Sequence, residues 1–153
     1  RGSGEGLLGG LTYGSVSAPE DPGSSGSSAG GGVIRIDATN VTVNGIISAS
    51  STAYGGDQPG WGAGGSILIN CRVINGTNGA LLVKVGGYPS GTWGGGGGGR
   101  LAVIYDTNAQ AQVSVPELSF QANGGTNTSY GPGRLGQPGT LYFPDMRFIP
   151  GVI

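Results

Sequence analysis

The amino-acid sequence predicts an all-β fold: a short parallel β-helix, or β-solenoid, with long glycine-rich loops. Three observations point there. Glycine supplies 36 of the 153 residues, about three times its usual share of roughly 7%. Short segments alternate apolar and polar side chains. These segments also return at a nearly fixed interval. Glycine is about 1 kcal/mol worse than alanine inside a helix, so a helical protein is set aside. Helical candidates are absent, which also removes a βαβ reading. Only 10% of residues are charged, the net charge is −1 and 36% are apolar. Disorder of the usual kind needs low hydrophobicity and high net charge. No Gly-X-Y period runs through the chain, so collagen is excluded.

The repeat begins with four strand segments: Gly31–Asp37, Gly64–Asn70, Gly98–Val103 and Pro138–Phe143. Aligning Ile34, Ile67, Leu101 and Leu141 gives spacings of 33, 34 and 40 residues. A second strand follows each of the first three, over Val41–Ala49, Ala80–Val85 and Val113–Ala122. After each second strand comes a glycine-rich loop with a tyrosine near its start: Tyr54, Tyr88 and Tyr130. Period-two alternation marks strands with one buried face. The predicted core face therefore comprises Ile34, Ile36, Val43, Ile47, Ile67, Ile69, Val83, Leu101, Val103, Leu118, Phe120 and Leu141, with Arg35 and Arg72 outside. One unit cannot enclose its own apolar face, but stacking units at about 4.8 Å buries a continuous column. The strands bearing Ile34, Ile67 and Leu101 should be parallel and in register. The rival is a β-sandwich of hairpins, which does not require a fixed period. The chain is read as one domain, with a Gly/Ser-rich lead-in over residues 1–30, repeats over 31–143 and an apolar tail over 144–153.

The segments GGGVIRI, VNGIISA, GGSILI, GGGGGGRLAVIY and PGTLYF together resemble the glycine-rich β-helix repeats of very large secreted or cell-surface proteins. The resemblance covers roughly residues 7–143. It implies a structural or adhesive role outside the cell and assigns no activity.

The catalytic inventory is poor. Histidine, the commonest general base and metal ligand, is absent. Cys71 falls on the inward face of a strand, where it reads as an inert core thiol rather than a nucleophile. The eight acidic residues are scattered and form no carboxylate pair spaced for glycoside hydrolysis. Asp37 and Asp106, near Arg35, Arg72 and Arg100, read as an outward charge ladder. Gly94–Gly99 lacks the Gly-Lys-Ser/Thr ending of a phosphate-binding loop. No enzyme, metal or cofactor is expected. The near-zero charge gives no field for nucleic acid, and no apolar run reaches the 18 or so residues that span a bilayer. Residue 1 is an Arg, in keeping with a cleaved leader or a fragment of a longer chain.

Two functional readings remain. The first is an extracellular or cell-surface structural module that assembles end to end into a fibre or appendage. Its partners are copies of itself or neighbouring repeat modules. Its contacts are Leu141, Phe143, Phe148 and Ile149 against an N-terminal region containing Leu7 and Leu8. It assumes that neither end of the stack is capped. The alternative is a carbohydrate-binding or adhesive module, in which Tyr54, Trp61, Tyr88 and Trp93 form a ladder in equivalent loops. An ice-binding face is disfavoured because Thr42, Thr77 and Thr140 form no regular rank. Three sequons, at Asn40, Asn75 and Asn127, offer N-glycosylation in a eukaryotic source. Asn40 and Asn75 are expected at related turn positions before second strands.

Overall fold

The computed structural model describes residues 12–52, 60–85, 94–125 and 135–149. Strands β1 (Val33–Thr42), β2 (Ile46–Ser48), β3 (Ser66–Asn75), β4 (Thr77–Leu82) and β5 (Arg100–Ile104) are followed by a one-turn helix α1 (Thr107–Gln110). Strands β6 (Glu117–Gln121) and β7 (Thr140–Tyr142) complete the order. They form two parallel sheets, one of four strands in the order β1-β3-β5-β7 and one of three in the order β2-β4-β6.

This corrects the expected fold. The molecule is mostly β but is not a β-helix. A regular coil needs an equal unit at every step. Here strand length in the larger sheet falls from ten residues in β1 and β3 to five in β5 and three in β7. The smaller sheet has three strands, and a helix that the sequence reading lacked stands between β5 and β6. Asp106 starts that helix by accepting from the backbone N–H groups of Asn108 and Ala109, the usual role of an N-cap carboxylate. It is therefore not part of a charge ladder. The predicted second strands also shrink: β1 runs on through Thr42, and Val113–Pro116 precede β6 rather than joining it.

The register came out as the alternation predicted. Ile34 pairs with Ile67, Ile67 with Leu101 and Leu101 with Leu141, all in parallel. Parallel pairing of β2 with β4 and of β4 with β6 leaves no place for a hairpin sandwich. Ile67, Ile69, Val83, Leu101 and Val103 are fully buried and Val43 nearly so. Ile34, Ile36, Ile47, Leu118 and Phe120 are half-buried against this core, and Arg35 and Arg72 are exposed. Leu141 departs from the expectation at 45% exposure, because β7 is an edge strand and, among the described residues, no strand pairs beyond it.

Leu68 and Ala102 point away from that core yet are also buried. Parallel sheets are usually covered on both faces, and here the N-terminal segment is bonded to residues at and near the strand starts on that second face. Its residues run across the strand starts. Glu20 pairs with Arg35 of β1, Asp21 accepts at its carbonyl from Ser66 Oγ of β3, and Arg100 of β5 donates to the carbonyls of Asp21 and Tyr13.

Glycine makes the seam between the sheets. The N–H groups of Gly65, Gly99 and Gly139 donate to the carbonyls of Ala49, Val83 and Ala122, at 2.8, 2.7 and 2.6 Å. Each bond ties the end of one strand in the smaller sheet to the start of the next in the larger. A methyl group at Gly65 would collide with the Gly32 carbonyl, and one at Gly64 with the carbonyl of Val83. No side chain fits there, which is why the sequence repeats paired glycines before each first strand.

Candidate assembly surface

The larger sheet ends in two edges of different character. On one side lies β1, ten residues long, with Val33 42% exposed. Beside it in the smaller sheet, Ile46 of β2 is 71% exposed. The charged groups on β1 satisfy one another. Arg35 reaches Glu20 at 2.6 Å and Asp37 at 2.8 Å, and Asn70 donates to the other Asp37 oxygen. The hydrogen bond from Arg35, helped by that from Asn70, holds the Asp37 carboxyl below its ordinary range.

On the opposite side lies β7, where Leu141 and Tyr142 are exposed. Beyond it the chain folds back over the smaller sheet. Tyr105 meets Phe148 edge-on at 5.2 Å, Phe120 meets Phe143 at 4.9 Å, and Phe148 lies 5.7 Å from Phe120 and 5.6 Å from Phe143. Tyr105 Oη donates to Asp145 at 2.5 Å. Burial and that bond push the Tyr105 hydroxyl pKa up. Burial alone would raise the Asp145 carboxyl, but the Tyr105 hydroxyl and the Arg147 N–H and guanidinium outweigh it and leave Asp145 below its usual value.

This geometry sorts the expected contact residues. Leu141 and Ile149 are exposed at the β7 end, at 45% and 41%. Phe143 is half-buried. Phe148 is buried by Tyr105, Phe120 and Phe143 of its own chain, so it closes this end and is not available to a neighbour. The assumption of an uncapped C-terminal end is thereby corrected for the smaller sheet. Leu7 and Leu8 lie outside the described residues, as do Tyr54, Tyr88, Trp93 and Asn127. Of the aromatic ladder only Trp61 is described, half-buried in the glycine layers. Asn40 is exposed within β1, and Asn75 ends β3, accepting from the Gly76 N–H. They do not hold related turn positions, since Asn40 pairs with Val73 and Asn75 with Thr42.

Burial raises the half-buried Cys71 thiol to about 11, in keeping with an inert thiol. Among the described residues no three His, Cys, Asp or Glu side chains gather as metal ligands would. No described helix is long and apolar enough to cross a membrane. Two functional contacts lacked a clear sequence signal: Arg100, which pins the N-terminal segment, and Gln110, which pairs with a strand. No family model, curated protein or solved structure matches this chain.

Proposed function

We propose that the chain is an extracellular structural module that extends by adding copies end to end, edge of one larger sheet to edge of the next. The observation that carries this is the unfinished column Ile34–Ile67–Leu101–Leu141. Its two inner members are fully buried, whereas Leu141 at the end is 45% exposed. A parallel sheet has two different edges, so copies join head to tail, an arrangement that does not close on itself and yields a filament.

The bonding pattern sets the register. Ser66, Arg100 and Thr140 each donate from their backbone N–H to the glycine carbonyl one strand earlier, those of Gly32, Gly65 and Gly99. Val33 holds the same position in β1, so its N–H points out of the sheet and matches the Gly139 carbonyl of a neighbouring copy. Ile34 then lies beside Leu141, and Arg35 beside the Tyr142 ring, where a cation–π contact is available. At the same level the exposed Ile46 faces the tail residues Met146 and Ile149, 55% and 41% exposed. An open edge with unpaired backbone groups and apolar neighbours is the usual template for such addition.

Sedimentation velocity and negative-stain microscopy of the purified chain test this reading. Concentration-dependent filaments are expected, through an interface above the roughly 1,000 Å² of specific contacts. Val33→Pro removes an outward N–H without touching the internal ladder, and Leu141→Lys puts a charge in the column. Both should leave monomers with wild-type circular dichroism. A wild-type chain that stays monomeric at the highest attainable concentration overturns the proposal.

A further inference from the structure

We infer that the cavity between the N-terminal segment and the starts of β5 and β7 binds a single neutral, hydroxylated ring of monosaccharide size. The cavity has a volume of about 220 Å³ and is lined by Thr12, Tyr13, Val16, Arg100 and Thr140, with Ala63, Pro138 and glycine backbone between them. A cavity of about 150 Å³ is enough for benzene, so one substituted six-membered ring fits and a second does not. The glycine walls carry no side chains, which leaves a flat surface for a ring face.

Two of the polar side chains that line it, Arg100 and Thr140, select the ligand. Arg100 is held rigidly: Nε and Nη2 donate to Ser66 Oγ, Nη2 also to the Asp21 carbonyl, and Nη1 to the Tyr13 carbonyl. The guanidinium also stands 4.8 Å over the Tyr13 ring. A guanidinium has five N–H groups, and these bonds use four of them, which leaves one on Nη1 for a ligand. Thr140 Oγ1 is buried without a hydrogen-bond partner, a costly state for a hydroxyl. A χ1 rotation toward the cavity gives it a partner once a ligand hydroxyl is there. Both groups are matched by a hydroxyl, which donates and accepts. An apolar ring would leave them unmet. An anion gains little, because the Asp21 carboxylate stands against Gly14 on the same side as the guanidinium and offsets its charge.

The test is titration of the protein with the methyl pyranosides of glucose, galactose and mannose, followed by amide chemical shifts, with cyclohexylmethanol and acetate as controls. At least one pyranoside should give saturable shifts at Gly98, Gly99 and Thr140, with affinity in the millimolar range. Thr140→Val keeps the shape and the strand preference, and its thermal midpoint shows whether it folds. It should weaken binding about five- to tenfold, the worth of one hydrogen bond. Three outcomes overturn the inference: no shift at these amides with any pyranoside, equal binding of cyclohexylmethanol or acetate, or undiminished binding by folded Thr140→Val.

Discussion

Replacing Gln110 by Leu should cost about 3 kcal/mol of stability, although Gln110 touches neither open edge. Its side chain is fully buried. Its Oε1 accepts from the Ile74 N–H at 2.9 Å and its Nε2 donates to the Ile74 carbonyl at 3.0 Å. The reason lies in strand length. β3 runs to Asn75, but its neighbour β5 stops at Ile104, which pairs with Asn70. From Cys71 onward no strand among the described residues pairs with the β5-facing side of β3, and at Ile74 the primary amide of Gln110 stands in for one. Leucine has similar volume and no polar atoms, so the variant leaves a buried donor and acceptor unmet. Each such group costs about 1–3 kcal/mol, or roughly 2–6 kcal/mol for the pair. Helix α1 is a single turn with exposed Ala111 and Gln112 beside it, so partial rehydration puts the value in the lower half of that range. Urea unfolding measures it directly. In a domain of this size about 3 kcal/mol corresponds to a fall of roughly 6–12 °C in Tm. The exposed neighbour Gln112 is the control, and Gln112→Leu should change stability by less than about 0.5 kcal/mol. A Gln110→Leu variant within about 1 kcal/mol of wild type refutes the strand-substitute role.

Three further outcomes are expected. Asp37 and Asp145 both have carboxyls held below their ordinary range. Their stabilisation is thus fully present above the unfolded value near 3.8 and is lost as pH falls through the lower folded values. The urea midpoint should drop between about pH 4 and pH 2 and drop less in Asp37→Asn and Asp145→Asn; a flat acid limb in the wild type contradicts this. Cys71, with its thiol raised to about 11 by burial, should resist a disulfide reagent at pH 8 in the native protein and react on unfolding; rapid native labelling would show the strand face to be open. Gly65→Ala should prevent the native sheets from forming, because the added methyl meets the Gly32 carbonyl; a folded variant with native circular dichroism would disprove the close seam.

What could be read from the sequence was the part governed by period. Ile34, Ile67, Leu101 and Leu141 announced their parallel register through spacing alone. The paired glycines announced a close approach of backbones, though not that the approach ties one sheet to the other. The fold class departs from the expectation because a repeat in sequence need not be an equal unit in space. Spacing records where strands begin and says little about where they end, so a ten-residue β1 and a three-residue β7 looked alike. Alternation also implies one buried face, so it gives no sign that Leu68 and Ala102 on the other face are buried. Tyr105 and Gln110 lie in the stretch that widens the last spacing to 40, where no repeat partner could flag them.

The two sheets end differently at the β7 side, and that difference bears on the proposed assembly. The smaller sheet is finished by Phe143 and Phe148, which pack on Phe120 of its last strand. The larger sheet is finished by nothing described: Leu141 continues a buried column but is itself exposed. If the whole end needed protection from water, the aromatic tail could equally have crossed β7, and it does not. Closing one sheet reduces the number of registers in which a second copy can dock. A copy shifted by one strand would press β1 against the folded tail, where no edge is free to pair. In the proposed assembly, the cap on the smaller sheet would guide the open edge of the larger one and restrict addition to the pairing of Val33, Ile34 and Arg35 with Thr140, Leu141 and Tyr142.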